Sequence, residues 1–187
     1  MLNALLVCAL AAVQRDTAPV TLAGAPSGSR AASTATAVVS AARLNTVIAD
    51  SLVLDKSDRE LTLFFRGVPV RRYSVALGKN PVGDKMGRGD GRTPEGLFYI
   101  ESRNARSKFH LALRISYPDA AHRLIAARRG LSPGGDIMIH GLPAAFASVG
   151  ALHRQQDWTE GCIAVTNEEI EEIWRAVPNG ARILIRP

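Results

Sequence analysis

Cys162 lies in the run Asp157-Trp158-Thr159-Glu160-Gly161-Cys162-Ile163-Ala164-Val165. Upstream, Ile137-Met138-Ile139-His140-Gly141 reads as a short apolar strand that delivers one histidine into a glycine turn. A cysteine and a histidine distant in sequence are the minimal kit for thiolate catalysis, because imidazole can take the thiol proton near neutral pH. The other cysteine, Cys8, falls in an apolar leader. An exported chain ordinarily uses cysteines in pairs, so a single remaining thiol asks for a chemical role. The competing reading is a small buried cysteine and a satisfied histidine, the commoner fate of each residue alone. The glycines beside both residues favour the reactive site. Glycine lets backbone approach a substrate closely, so the amides around Gly161-Cys162-Ile163 are candidate oxyanion donors.

These residues need elements to position them. Ser51–Asp55 and Glu60–Arg66 are apolar-rich runs joined by Lys56-Ser57-Asp58-Arg59, which predicts a hairpin. Gly67-Val68-Pro69 turns into a third strand, Val70–Leu77, and a glycine-rich loop follows. Further strands are expected at Leu97–Glu101, Leu111–Ser116 and Asp136–His140, with a helix over Asp119–Arg129 that stops at Gly130. Thr166 with Glu169 forms a capping box, and Ile170, Ile173, Trp174 and Val177 follow at helical spacing. Pro178-Asn179-Gly180 ends that helix, and Arg182–Arg186 returns as a terminal strand. Strands dominate. The expected class is mainly β, a β-rich α+β domain built as a sandwich or barrel-like sheet with a few short peripheral helices.

Composition narrows the function. Residues 2–13 form an apolar run too short to span a bilayer and suited to a signal segment, which points to periplasmic or secreted export. No Lys or Arg precedes it. Residues 14–42 are rich in Ala, Ser, Thr, Gly and Pro and read as a flexible tether, leaving 43–187 as the domain. No other segment is apolar enough to cross a membrane, and the domain reads as a monomer. The formal charge of +6 suits polyanions in general, including carboxylate-rich wall polymer. Nucleic acid is disfavoured: there is no zinc spacing and only 5% aromatic residues for stacking. Gly87-Arg88-Gly89-Asp90-Gly91 lacks the phosphate-cradling GxxxxGK[ST] pattern, and the histidines show no metal-ligand spacing. No cofactor or metal is implied.

Three blocks in this order resemble the L,D-transpeptidases with a YkuD-type catalytic domain. They are Thr93-Pro94-Glu95-Gly96 leading into a strand, Ile139-His140-Gly141, and Thr159-Glu160-Gly161-Cys162-Ile163. Phe109-His110-Leu111, Ser116-Tyr117-Pro118 and Asp157-Trp158-Thr159 look most like the YafK-like branch. Two departures stand out. Glu160 replaces a common second histidine, and Ala164 replaces a common arginine.

The resemblance implies acyl transfer on peptidoglycan stem peptides, with Cys162 as nucleophile and His140 as base. An amine acceptor gives a cross-link or attaches a wall-linked protein, whereas water gives hydrolysis at diaminopimelate. An inactive wall-binding module is the reading from another class. Gly161, Ile163, Thr159 and Gly141 are the supporting residues. Thr159 either orients the histidine or bonds its own turn. Trp158, His110, Tyr117 and Arg92 are candidate substrate contacts, each with a plainer alternative: a buried anchor for Trp158, rim packing for His110, a solvated charge for Arg92. Thr93, Pro94 and Gly96 are turn chemistry. His153 is the rival base, and both it and His122 read as surface histidines. Glu160 is expected to face solvent or to pair with a cation such as Arg154.

The segment before residue 42 offers no periodic apolar face, so the domain is expected to fold without it. Limited proteolysis should remove 14–42 and leave a resistant core; equal protection of that segment would overturn the division.

Overall fold

The computed structural model describes residues 48–187, so the leader and tether expected at 1–42 lie outside the described residues. The hairpin forms as the sequence predicts. β1 (Ser51–Asp55) and β2 (Glu60–Phe65) pair antiparallel with Asp55 opposite Glu60. Their period of two sends Leu52, Leu54, Leu61 and Leu63 into the core. β3 (Val68–Ser74) ends three residues before the expected Leu77, because the chain there leaves β2 for another partner. β8 (Arg182–Arg186) lies parallel to β1 and antiparallel to β4 (Gly96–Ser107).

β4 runs well past the expected Glu101. Residues 101–106 are exposed and, apart from Ala105, polar, so they carry no apolar alternation, yet the strand pairs with β5 (His110–Ile115) across two register shifts. β6 (Met138–His140) starts two residues late, since Asp136 sits at φ 57, outside extended geometry. A two-residue strand, β7 (Ile163–Ala164), and a run of 3₁₀ turns over Ala144–Gln155, broken at Gly150, had no signal in the sequence. Helix α1 (Ala120–Arg128) begins at Asp119, whose carboxylate accepts the His122 amide at 2.8 Å, and the chain turns out at Gly130. Helix α2 (Asn167–Ala176) carries the capping box, buries Ile170 and Ile173, and packs against β5 and β6.

The eight strands form one mixed sheet in the order β3-β2-β1-β8-β4-β5-β6-β7. Its two ends then meet. Beyond β3, Ala76 exchanges both backbone hydrogen bonds with Ala164 of β7, at 3.0 and 2.8 Å. Thr159 continues the seam, donating to Leu77 O at 3.1 Å and accepting from Lys79 N at 2.9 Å. The result is a barrel-like sheet filled by aliphatic side chains and Phe98, the mainly β architecture expected from the strand count. No helix among the described residues is long and apolar enough to cross a membrane.

The loop between β3 and β4 is built from polar anchors. Buried Lys56 donates to Gly83 O at 2.7 Å, Thr93 O at 3.1 Å and Glu95 Oε1 at 2.7 Å. The Asp90 carboxylate accepts from the amides of Met86, Gly87 and Arg92 and from Lys85 Nζ. Three backbones then converge where the sheet closes. A Cβ on Gly78 would stand 2.2 Å from Gly91 O and 3.0 Å from the Gly161 Cα.

That contact is testable. Gly78→Ala is expected to cost about 2 kcal/mol or more in denaturant unfolding, the upper range for overpacking. Gly135→Ala has only Pro118 at 4.0 Å to meet, so it should be close to neutral and serves as control.

Candidate active site

Closure of the sheet lays β7 parallel to β6, with Ile139 opposite Ile163 and His140 opposite Ala164. Cys162 immediately precedes β7, so the ladder sets it on the segment beside β6, the strand that ends in His140. The ladder therefore brings together the two residues that the sequence singles out. Phe109 packs on the His140 ring at 4.4 Å between centroids, and Trp158 meets it edge-on at 5.9 Å.

His140 Nδ1 lies 2.7 Å from Gly141 O. A carbonyl only accepts, so Nδ1 carries the proton and Nε2 is the free base nitrogen of the neutral ring. Burial holds the imidazole below its usual range, with the Gly141 bond opposing. The fold fixes this turn from α2: Leu142 N donates to Asn167 Oδ1 at 2.7 Å, and a Cβ on Gly141 would collide with that oxygen. Gly141 supports the site through its carbonyl.

Cys162 is partly accessible. Its thiol donates to Asp136 O at 3.4 Å, so the sulfur faces the backbone of β6 rather than the N-terminus of α2. Burial pushes the thiol above its usual range, while the Met138 amide and the Lys85 charge pull the other way and Asp136 adds to the rise. Both partners are thus neutral at rest near pH 7.

The supporting residues divide. Thr159 does not orient His140; its hydroxyl donates to Cys162 O at 2.8 Å and accepts from Gly161 N at 3.1 Å, closing its own turn. The Gly161 amide is thereby committed and is not a free oxyanion donor. Gly161 is needed for another reason: it sits at φ 128, and a Cβ there would lie 2.5 Å from Arg92 O. Ile163 is buried, its backbone in the β6–β7 ladder.

Of the candidate substrate contacts, only Trp158 lies at the cavity beside His140; Arg92 lines a separate one of about 650 Å³ with Lys79, Asp90 and Arg129. Trp158 is 36% exposed, not the buried anchor of the plainer reading. With Phe109, Leu142, Pro143, Phe146, Val149 and His153 it walls an apolar cavity of about 430 Å³ on the His140 side. His110 turns to the rim, bound to Glu171 Oε1 at 2.8 Å. Tyr117 is buried on Phe98 and His122, its hydroxyl donating to Pro133 O at 2.8 Å, so it cannot hold a substrate carboxylate. Arg92 folds back onto Asp84 O at 3.2 Å and serves its loop.

The other histidines differ from expectation too. His153 is partly buried in the apolar cavity wall, where burial and Arg154 depress it to about 4, and Trp158 Nε1 donates to its Nδ1 at 3.4 Å. His122 is buried between two carboxylates, Asp119 at 2.7 Å and Asp84 at 3.2 Å, and ties α1 to the glycine-rich loop. Glu160 pairs with Lys79 at 2.6 Å, whereas Arg154 is taken by Glu169.

Lys85 escaped the sequence reading. It lines a second, polar cavity of about 270 Å³ with Arg88, Gly89, Gly134, Gly135, Asp136 and Glu160. A lysine in a glycine-rich stretch carries no signal of its own; only the loop's path brings it to this cavity. Among the described residues no three His, Cys, Asp or Glu side chains converge as a metal site would require.

The family model YkuD, the L,D-transpeptidase catalytic domain, matches residues 49–185. Among solved structures, the helical cell shape determining protein Pgp2 from Campylobacter jejuni is 21% identical with a TM-score of 0.57, over 80% of this chain and 54% of that one. Bd1075 from Bdellovibrio bacteriovorus is 23% identical with a TM-score of 0.53, over 75% of this chain and 48% of that one. The chain thus spans about half the length of these proteins, and the likeness is one of fold. No curated protein matches the sequence.

The resting ionisation is open to measurement. Alkylation of Cys162, followed by peptide mass spectrometry, should be slow at pH 7 and rise about tenfold per pH unit to beyond pH 9. Glu160→Gln should shift that profile by less than one unit, since Lys79 already offsets the carboxylate and the exposed pair is worth about 1 kcal/mol or less. A larger downward shift would mean that Glu160 acts on the sulfur.

Proposed function

Because the chain belongs to the YkuD family of L,D-transpeptidase catalytic domains, we propose that it modifies peptidoglycan by cysteine acyl transfer. The observation that carries this reading is the β6–β7 pairing, which sets Cys162 on the segment next to the strand that ends in His140, with the imidazole tautomer set by Gly141 O.

The substrate is a tetrapeptide stem, cut between its third residue, usually diaminopimelate, and the terminal D-alanine. The thiol and imidazole both begin neutral, so proton transfer from Sγ to His140 Nε2 accompanies attack rather than preceding it. The sulfur bonds to the amide carbon, and negative charge collects on the carbonyl oxygen. Collapse breaks the C–N bond, and His140 returns its proton to the departing D-alanine amine. An amine of a second stem then attacks the thioester left on Cys162, His140 accepts its proton, and collapse breaks the C–S bond as His140 returns that proton to the sulfur. The protein works at the wall after export through its N-terminal segment.

The neutral resting pair suits such a site. A partly accessible thiol that stays protonated until substrate arrives is poorly reactive toward oxidants in an exported setting.

Cys162→Ser and His140→Ala are each expected to abolish turnover while preserving the fold, since a hydroxyl has a far higher pKa than a thiol. Muropeptide digests of wall incubated with parent and variants give the test, with mass spectrometry of the Cys162 adduct identifying the donor. New L,D cross-links support transfer to an amine. Lost links with none gained would assign hydrolysis instead, and retained activity in Cys162→Ser would end the thiolate mechanism.

A further inference from the structure

The motif around Cys162 brings no cation of its own. Glu160 is an acid, and Ala164 is buried against the Ala76 strand, where no charged side chain fits. A thiolate formed in this partly buried place needs a positive group from elsewhere in the fold. The glycine-rich loop between β3 and β4 is the segment that supplies one.

The acids around the sulfur are already matched. Glu160 is paired with Lys79 at 2.6 Å. The Asp136 carboxylate points outward to Arg114 Nη1 at 2.9 Å, while its carbonyl oxygen accepts the thiol. Asp90, the partner of Lys85 at 2.6 Å, also accepts amides from Met86 and Gly87 on one oxygen and from Arg92 on the other. That carboxylate is therefore shared among backbone dipoles and does not fully offset the lysine. Arg88, the other cation of the polar cavity, is exposed at its rim. His140, on the opposite side of the thiol, is neutral at rest. The Lys85 ammonium has Asp90 as its one hydrogen-bond partner among the described residues, and its side chain, 3% exposed, lines the cavity whose wall includes Asp136.

We infer that Lys85 is the positioning cation of this site, holding the Cys162 thiolate as it forms and steadying the wall of the cavity beside it. The inference rests on the catalytic reading of Cys162 but adds a residue that the motif does not contain. It follows from geometry: the Asp90 clamp fixes the Lys85 ammonium in place, the loop's anchors at Lys56 and Thr93 fix the clamp, and burial keeps salt from screening the charge. The Lys85 field also acts on the thiol in the required direction, against burial. A purely structural lysine would share the salt bridge but leave the sulfur's ionisation unchanged.

The test reads ionisation directly, on the full chain. Alkylation of Cys162 by iodoacetamide is followed against pH, with peptide mass spectrometry separating Cys162 from Cys8. Lys85→Met is expected to raise the apparent thiol pKa by about one unit or more, slowing alkylation at neutral pH about tenfold. Lys85→Arg, which keeps the charge, should stay within a few tenths of a unit of the parent. An unchanged profile in folded Lys85→Met, with only a lower melting temperature, would overturn the inference. Should that variant fail to fold, Lys85→Gln, which keeps a polar N–H donor without the charge, carries the same comparison. Alkylation does not depend on wall chemistry. A shifted profile in a protein with no effect on muropeptides would sink the proposed function and leave Lys85 in its role; an unshifted profile in an active enzyme would do the reverse.

Discussion

Closure of the sheet at Ala76 and Ala164 is the constraint on which the site depends. β7 has only two residues, too few to hold itself against β6, and the antiparallel bridge from beyond β3 pins its other edge. Such close approach is possible because Gly78, Gly91 and Gly161 meet without side chains. Asp157 fastens the same seam from outside, accepting Leu77 N at 2.8 Å and Arg59 Nη2 at 2.9 Å. With that seam in place, Cys162 has one position, beside the backbone of β6. Opened by an ångström or two, the thiol would lose Asp136 O and its place beside β6.

Around the thiol, polarity is sorted by side. Phe109, Trp158 and the 3₁₀ segment make the His140 side apolar, whereas the loop from Lys79 to Gly91 and the turn at Gly134–Asp136 make the sulfur side charged. The division sets the resting chemistry. An apolar, buried flank keeps the imidazole neutral and able to accept a proton. A charged flank, with its acids individually paired, tempers the desolvation of the sulfur without forming a standing thiolate. The departures at Glu160 and Ala164 are absorbed by the same loop, since Lys79 takes the acid and the small Ala164 fits the closing bridge.

Much of this molecule can be read from its sequence. The β1–β2 hairpin, the capping box of α2 and the strand β8 follow from local rules: alternation, a turn between apolar runs, a threonine three residues before a glutamate. Cys162 and His140 also stand out, because a thiol and a histidine in glycine contexts carry their chemistry in their residue types. Those signals lie within a few neighbouring residues, and the folded chain keeps them.

Tertiary structure decided the rest. Tyr117, Arg92 and His110 have side chains suited to a carboxylate, yet each spends its polar group on a backbone carbonyl or a helix glutamate that only folding brings near. His122 looks like a surface histidine of a basic helix, but α1 turns it inward between Asp84 and Asp119. Lys85 reads as one more charge in a glycine-rich loop until the Asp90 clamp carries it to the cavity it shares with Asp136 and Glu160. Residue type and local period thus determined which groups could do chemistry and where most strands begin. Which partners neutralise, bury or face those groups depends on contacts between segments far apart in the chain, and no local pattern encodes a distance that only the closing of the sheet creates.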